Sequence, residues 1–455
     1  MSDADRAGSA LFSAMFASAA MARAFSDRAV LGAMLEFEAA LAAAEAECGV
    51  IPAEAVQPIC EKCDPKLFSA DEIGRQAALA GNLAIPLVKA LTSAVDPKAR
   101  GYVHWGATSQ DVIDTGFMLL ARGGLDHLAA ELRRGMRACI ALAAAPGGAL
   151  MPGRTWLQHA LPIPFAYKAS VWLSGLLAAH RAIRRARSEA LAVQFGGAAG
   201  TLAALGGDGL RVRAALAGRL GLREPAITWH AERSRIVTIA SALGIASGAA
   251  AKIAADVQLL MQTEVGEAFE ASAPGKGGSS TMPHKRNPVA SAAVRANHRR
   301  VTGLMAIIHG AMEQEHERSP GAWPAEWETM RDLFLLSGGS AERIADLIEG
   351  LELDPERMRA NLGLTLGLPL AESLMMALAP KIGRMEAHHR VEAASKAAAR
   401  DKRALAAVAK DDPAITDVLG PEAIDRALDP ARYLGAAADM VRMAVDEAKR
   451  ELEAE

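Results

Sequence analysis

The chain of 455 residues is nearly balanced in charge, with 50 basic and 53 acidic residues and a net charge of −3. This balance argues against nonspecific nucleic-acid binding through a basic face. Hydrophobic residues make up 51% of the chain but aromatic residues only 4%, which favours close-packed helices over aromatic-rich sheets. The longest apolar stretch, 236–255, is interrupted by Ser, Thr and Lys, and the N-terminus lacks a convincing signal peptide. We therefore expect an all-α protein of the cytoplasm, without a membrane span.

Helical spacing of apolar residues begins early, with a helix at 28–48 and another that Asp71 can cap. Five longer helices are then predicted, at about 111–145, 162–193, 232–271, 288–317 and 325–350. No single helix can bury its stripe of Ala, Leu, Ile and Val, so a five-helix bundle is expected. Helices of about 30 residues extend about 45 Å, which is long for a monomer of this size and predicts an oligomer.

Three domains are expected from this pattern. An N-terminal helical domain covers 1–110, the bundle covers 111–352, and a C-terminal helical domain covers 353–455. The last boundary rests on Asp354-Pro355, after which Pro369, Pro380 and Pro413 interrupt shorter helices.

Cysteine and glycine patterns give little support for a metal or a cofactor. Cys60 and Cys63 form a CxxC pair, but no second Cys/His pair at metal-finger spacing accompanies them. Reduced thiols are the favoured interpretation. The glycine-rich segment at 195–207 lies between predicted helices and does not open a dinucleotide fold, so close backbone packing is expected there. We expect neither a cofactor nor a metal.

The segment GGSSTMPHKRNP at 277–288 is the most informative one in the chain. Glycines permit close backbone approach and prolines fix φ, so these residues predict a stiff polar loop around an anion. A plain surface loop between two helices is the alternative. Residues 278–288 match Gly-Ser-Ser-x-Met-Pro-x-Lys-x-Asn-Pro at every specified position. This pattern resembles the signature loop of the fumarase/aspartase superfamily.

The resemblance implies a three-domain all-α fold with a central long five-helix bundle. It also implies a homotetramer in which each active site forms where three subunits meet. Ser279 matches the catalytic serine of that superfamily. Lys285 would supply the positive field that activates it, and Asn287 would bind a substrate carboxylate. Ser280 and Met282 complete the expected contacts of the loop with the substrate.

A second segment, HWGATSQDVIDT at 104–115, is similar to the adenylosuccinate lyase branch of the superfamily. In that branch the matching residues lie near the substrate, which makes His104, Thr108 and Ser109 candidate binding residues. Thr108 and Ser109 precede a predicted helix, so simple N-capping is the alternative, and the two roles are compatible. Arg318 is a weaker candidate, because an arginine at a helix end is more often solvated or paired.

The third segment, GRTWLQHALPIPFAYK at 153–168, departs from the superfamily at one position. Fumarases and adenylosuccinate lyases have a histidine after the threonine, and it acts as a general acid on the leaving group. Trp156 stands there in this chain, and an indole N–H only donates hydrogen bonds. His159 could substitute as a catalytic residue, and Thr155, Trp156 and Gln158 are candidate substrate-binding residues. Alternatively, the leaving group is a carboxylate, which needs no proton because its pKa is about 4.

This version of the segment, together with 314–334, resembles the bacterial branch that closes 3-carboxy-cis,cis-muconate to a lactone. That reaction belongs to protocatechuate degradation in the β-ketoadipate pathway. Intramolecular carboxylate addition to a diene is therefore the expected activity, on a small polycarboxylate. Adenylosuccinate lyase or a related lyase is the alternative enzyme. A helical scaffold protein that has lost activity is the alternative of another class.

Overall fold

A computed structural model describes residues 10–144, 148–273, 275, 277–278, 281–282 and 284–454. These residues are mostly helical, and the all-α prediction is confirmed. The α-helices are α1 Ala10–Phe16, α2 Ala19–Ala24, α3 Asp27–Glu47, α4 Val56–Cys60, α5 Ala70–Ala80, α6 Ala84–Ala94, α7 Ser109–Ala144, α8 Phe165–Glu189, α9 Gly209–Leu220, α10 Ser234–Leu260, α11 Val289–Gly310, α12 Ala322–Glu349, α13 Pro355–Gly363, α14 Ala371–Ile382, α15 Arg384–Asp401, α16 Leu405–Asp411, α17 Pro413–Leu419, α18 Pro421–Ala427 and α19 Ala437–Glu453.

Four short strands form two antiparallel pairs. Strand β1, Leu150–Thr155, pairs with β2, Gln158–Pro164, and β3, Ala268–Phe269, pairs with β4, Glu352–Leu353. The first pair is a hairpin that the sequence did not predict. It delays the second long helix, α8, which begins at Phe165 instead of about 162.

The five predicted long helices are α7, α8, α10, α11 and α12. Their positions agree with the sequence, but the third ends at Leu260 rather than near 271, and the fourth ends at Gly310 rather than near 317. The chain bends soon after this point, where Gly266 has a φ of 61° that favours glycine. The cap of α5 also differs from expectation: Ser69 accepts the hydrogen bond from Glu72 N–H at 3.3 Å, and Asp71 lies in the first turn.

The chain divides into two compact units, each built from three segments. The first unit contains Met1–Arg133, Ala178–Ala251 and Ala292–Ile344, and the second contains Arg134–Leu177, Lys252–Ser291 and Ala345–Glu455. The three-domain division of the sequence stays a prediction.

In the first unit, the core around α7 needs a residue without a side chain. Phe25 and Phe334 stack with ring centroids 4.6 Å apart. A Cβ atom on Gly124 would lie 2.7 Å from the Phe334 ring and 2.9 Å from the Phe25 ring. Glycine here lets α7 approach the aromatic pair, which offsets its low helix propensity.

In the second unit, α14 to α18 enclose a small core of their own, which includes Leu374, Leu378, Val391, Leu405 and Ile424. Helix α13 begins at Pro355, where Asp354 accepts a hydrogen bond from Arg357 N–H at 2.9 Å. An aspartate N-cap followed by proline is a favoured helix start. One helix, α10, is long and apolar enough to cross a membrane, but 56% of its apolar window is buried within the protein.

Candidate active site

The start of α7 is fixed by the side chain of Asp111. Its carboxylate accepts hydrogen bonds from the backbone N–H groups of Thr108 at 3.0 Å, Gly196 at 3.0 Å and Gly197 at 2.9 Å. His230 Nε2 lies 2.7 Å from the same carboxylate. Asp111 is fully buried, and these donors offset the cost of removing its carboxylate from water. They hold the glycine-rich segment against the first turn of α7.

The glycines of that segment are required by this close approach. A Cβ atom on Gly197 would lie 2.8 Å from the carbonyl oxygen of Gly106, and one on Gly196 would lie 2.4 Å from Thr228. The segment therefore has the close backbone packing expected from its sequence. Through Asp111, it is held close to Thr108 and Ser109, the predicted binding residues.

One turn further along α7, a buried ion cluster surrounds Asp114. Arg233 Nη1 lies 2.8 Å from Asp114 Oδ2, and Arg233 Nη2 lies 2.5 Å from Glu326 Oε2. Trp323 Nε1 also donates to Asp114, at 3.0 Å. Burial raises the pKa of Glu326 to about 7, although the guanidinium of Arg233 opposes this change. One cation thus serves two carboxylates, and the cluster anchors α7, α10 and α12 to each other.

Gln110 links this cluster to Arg318. Its Nε2 donates to Asp114 at 3.2 Å and to the carbonyl oxygen of His230 at 2.9 Å. Its Oε1 therefore faces Arg318, whose Nε donates to it at 3.0 Å. Arg318 also reaches the carbonyl oxygen of Gly197 at 3.4 Å. The structure thus places Arg318 near the start of α7, close to the segment that carries Thr108 and Ser109.

His104 is held by a carboxylate that the sequence did not suggest. Its Nδ1 lies 2.6 Å from Glu38 Oε1, and the Glu38 side chain is almost fully buried. Although burial lowers it, the charge and hydrogen bond of Glu38 raise the pKa of His104 above the ordinary histidine value. Burial, and to a lesser extent Glu38, also raises the pKa of nearby Glu45 to about 9. Glu45 therefore carries a proton, and Glu38 is the carboxylate that pairs with His104.

In the second unit, the β1–β2 hairpin carries the third predicted segment. Thr155 and Gln158 face each other at its end, and Trp156 and Leu157 form the two-residue turn. Both turn residues have positive φ, 50° and 63°, which is unfavourable for non-glycine residues. Trp156 is 98% exposed and Leu157 75% exposed. No imidazole occupies the tip, which agrees with the sequence comparison at Trp156.

His159 lies two residues beyond this turn, and its side chain points to the other face of the strand from Gln158. It pairs across the hairpin with Arg154 and lines a cavity with Arg359. Arg154 forms two hydrogen bonds with Glu267, at 2.6 and 2.8 Å. Burial and the charge of Arg154 lower the pKa of His159. The structure therefore gives His159 different surroundings from those of Gln158.

The signature loop is closed at its base by Asn287, whose N–H donates to the carbonyl oxygen of Gly277 at 2.9 Å. A Cβ atom on Gly277 would lie 2.7 Å from the Asn287 carbonyl oxygen, so only glycine allows this closure. Lys285 and Asn287 line a cavity of about 220 Å³ that also includes Glu270. Met282 is 43% exposed. Ser279 and Ser280 lie outside the described residues.

Glu270 joins the loop to the start of α11. Its carboxylate accepts hydrogen bonds from Ser291 N–H at 2.8 Å, Ser291 Oγ at 2.7 Å and Ala290 N–H at 3.1 Å. Arg286 donates to the Glu270 carbonyl oxygen at 2.7 Å. A buried carboxylate thus caps α11 in place of a local N-cap residue.

The predicted residues fall into three groups. His104, Thr108, Ser109 and Arg318 belong to the first unit, where the α7 network supports them. The hairpin residues and the loop residues belong to the second unit, where His159 lines one cavity and Lys285 and Asn287 line another. Sequence reasoning missed the supporting residues Glu38, Gln110, Asp111, Asp114, Arg233 and Glu326. The only available signal was the spacing of Gln110, Asp111 and Asp114 on one helix face, because their partners lie far away in sequence.

Comparison with known proteins agrees with this geometry. A family model described as lyase matches residues 15–303, and one described as adenylosuccinate lyase C-terminus matches residues 367–444. A 3-carboxy-cis,cis-muconate cycloisomerase from Bradyrhizobium diazoefficiens is 49% identical, over 97% of this chain and 99% of its own length. A nitrosuccinate lyase from Streptomyces davaonensis is 40% identical, over 96% of this chain and 94% of its own.

Among solved structures, the crystal structure of a 3-carboxy-cis,cis-muconate lactonizing enzyme from Pseudomonas putida matches with a TM-score of 0.92. The two chains are 44% identical, and the match covers 97% of this chain and 99% of that one. The fold, the signature loop and these matches agree along nearly the whole sequence. The chain therefore belongs to the lyase family of the fumarase/aspartase superfamily.

Proposed function

We propose that the protein is a cofactor-independent cycloisomerase that lactonises 3-carboxy-cis,cis-muconate. A substrate carboxylate adds to C4 of the diene, and 4-carboxymuconolactone forms, a step of protocatechuate degradation in the β-ketoadipate pathway. The observation that carries the proposal is Trp156, which stands at the exposed hairpin tip in place of the acid histidine of the superfamily. In the reverse direction the leaving group is a carboxylate, which needs no proton. The 49% identity to a cycloisomerase of that name supports the same reaction.

The proton for C5 comes from Ser279 in this proposal. Attack on C4 places negative charge on an enolate-like carboxylate, and Ser279 acts as the acid that delivers the proton. A serine is a weak acid, so a positive field must stabilise its alkoxide, and Lys285 is the group in the loop that can supply one. His159 fits this role less well, because it lies on the opposite face of the hairpin strand from Gln158.

Three carboxylates of the substrate need partners once they leave water. Asn287, Thr155 and Gln158 provide neutral donors from the second unit. In the first unit, Thr108 and Ser109 lie at the positive end of the α7 dipole, where carboxylates bind favourably. Arg318 and His104 add positive charge, since Glu38 raises the pKa of His104.

We further propose a homotetramer in which different subunits contribute these groups to each site. Large apolar side chains on the long helices support association, because Val171, Ile245, Leu259 and Ile307 are each more than 40% exposed in the single chain. The exposed Trp156 and Leu157 fit the same arrangement. The cytoplasm is the proposed location, in keeping with a bacterial enzyme of small-molecule metabolism.

Adenylosuccinate cleavage is the second candidate, favoured by the match of residues 367–444 to the adenylosuccinate lyase C-terminus. Its amine leaving group needs an acid, which the tip lacks. An inactive scaffold would have no need to keep Lys285 and Asn287. Incubating the purified protein with 3-carboxy-cis,cis-muconate and following the diene absorbance separates these functions. We expect the absorbance to fall catalytically; no change with this substrate or with adenylosuccinate would support the scaffold.

A further inference from the structure

A cavity of about 300 Å³ lies within the second unit, between the β1–β2 hairpin and two segments of the C-terminal region. Its walls are mostly apolar and include Pro152, Pro162, Leu362, Pro369 and Leu370. This volume is at the lower end of the range for small-molecule sites, which are usually apolar pockets with a few placed polar groups. The cavity shares no lining residue with the one that contains Lys285.

Among the described residues that line this cavity, only Arg359 carries a full charge. Within the part of the chain that the structure describes, this exposed arginine has no ion pair and no hydrogen bond, so its guanidinium is free to pair with a ligand at the edge of the cavity. Most arginines of the chain are paired, including Arg154 with Glu267 and Arg357 with backbone carbonyl oxygens. An unpaired guanidinium beside an apolar pocket is suited to a carboxylate, which it can bind through two parallel hydrogen bonds.

His159 supplies the second polar group. Its Nδ1 is buried without a hydrogen-bond partner, so a proton on that nitrogen would be left unpaired. The ring proton therefore belongs on Nε2, the nitrogen that remains able to donate. Burial and Arg154 lower the pKa of His159, which keeps the ring in this neutral form near pH 7. Glu267 opposes this shift only weakly, because it is paired with Arg154.

We propose that this cavity is a second ligand site, which binds a small organic monocarboxylate. Arg359 pairs with the carboxylate, His159 donates to it from Nε2, and the prolines and leucines enclose the apolar body. A single cation and one neutral donor match one carboxylate and leave two charges of a tricarboxylate unpaired. The site is therefore distinct in chemistry from the one that we propose for the substrate.

Calorimetric titration of the whole protein with 4-bromobenzoate tests this proposal. We expect saturable binding, which Arg359→Gln weakens at least about tenfold, since the variant loses a charge-assisted pair with the carboxylate. Arg384→Gln is the matched control, since Arg384 is an exposed arginine of the same unit that does not line the cavity. It should leave the affinity unchanged, as should Lys285→Ala, which alters only the loop.

Crystals soaked in 4-bromobenzoate give a second readout, because bromine is located directly by anomalous scattering. The expected peak lies between His159 and Leu370. No saturable binding in solution, equal affinity in Arg359→Gln and wild type, or a bromine peak only beside Lys285 would each overturn the proposal. Loss of binding in Lys285→Ala would overturn it as well, since the ligand would then occupy the substrate site.

Discussion

His104 illustrates how a single residue is prepared for an anion. Its backbone has a φ of 58°, in the left-handed region that few non-glycine residues adopt. Glu38 holds the ring at 2.6 Å. The left-handed backbone and the Glu38 carboxylate together orient the imidazole. The carboxylate also favours its charged form. Sequence reasoning identified His104 but not Glu38, because the two lie 66 residues apart and nothing local in α3 marks that glutamate.

Replacing Glu38 tests this pair through the pH dependence of stability. The folded-state pKa of His104 is raised, so its contribution is fully present below the unfolded pKa of about 6.5 and is lost as pH rises through the folded value. Glu38→Gln should lower the free energy of unfolding by about 2 kcal/mol near pH 6, and by less as pH rises. Urea unfolding at several pH values measures this. In a His104→Gln background the part of this pH dependence that comes from the imidazole should be absent.

The proton donor is assigned to a residue outside the described part of the chain, so kinetics must test it. If Ser279 delivers the proton, Ser279→Ala should lower kcat by orders of magnitude and leave KM nearly unchanged, because only the transition state loses its partner. Steady-state rates with 3-carboxy-cis,cis-muconate provide the measurement. Turnover close to that of the wild type would move the role to another residue, and His159→Asn would then be the next variant to assay.

Among the secondary-structure elements, the β1–β2 hairpin was the one that the sequence could not predict. Two-residue hairpin turns usually contain Asn-Gly or a similar pair, because both positions require positive φ. Here the turn is Trp156-Leu157, so the usual signal is absent, and each residue costs about 1–2 kcal/mol in that conformation. Two strained, exposed apolar residues do not stabilise the isolated chain. Their exposure and backbone strain point to a role in binding or assembly.

Trp156→His separates that role from folding. The indole is 98% exposed and has almost no packing to lose within the chain. The free energy of unfolding should therefore change by no more than about 0.5 kcal/mol. Lactonisation should fall, because the variant loses the indole at the tip and a carboxylate leaving group gains nothing from the acid that replaces it. Cleavage of adenylosuccinate should not appear. A variant that clearly cleaves adenylosuccinate would promote the second candidate function.

At the scale of the whole molecule, the long helices were predictable and their supports were not. Helical spacing located most of the ends of the five long helices to within a few residues, since each helix carries a continuous apolar stripe. These helices are α7, α8, α10, α11 and α12. The Asp114–Arg233–Glu326 cluster joins residues more than 90 positions apart. Only the fold brings such partners together. The signature loop was predictable for another reason, because the pattern of residues 278–288 identifies a superfamily directly.

The proposed homotetramer can be tested through its mass and through mixed variants. The chain has a mass of 47.6 kDa, and light scattering after gel filtration should give four times this value. If different subunits complete each site, Ser279→Ala and Thr108→Ala are both nearly inactive alone, but mixing, unfolding and refolding them together should restore part of the activity. A fully active monomer, or no recovery in mixed tetramers, would contradict the shared site.

The most direct test of the central claim is the ratio of kcat/KM for competing substrates of the wild-type protein. Lactonisation without an acid histidine predicts that 3-carboxy-cis,cis-muconate is preferred over adenylosuccinate and nitrosuccinate by orders of magnitude, with the lactone identified as the product. A kcat/KM for either of the other two substrates that equals or exceeds the value for 3-carboxy-cis,cis-muconate would contradict the account.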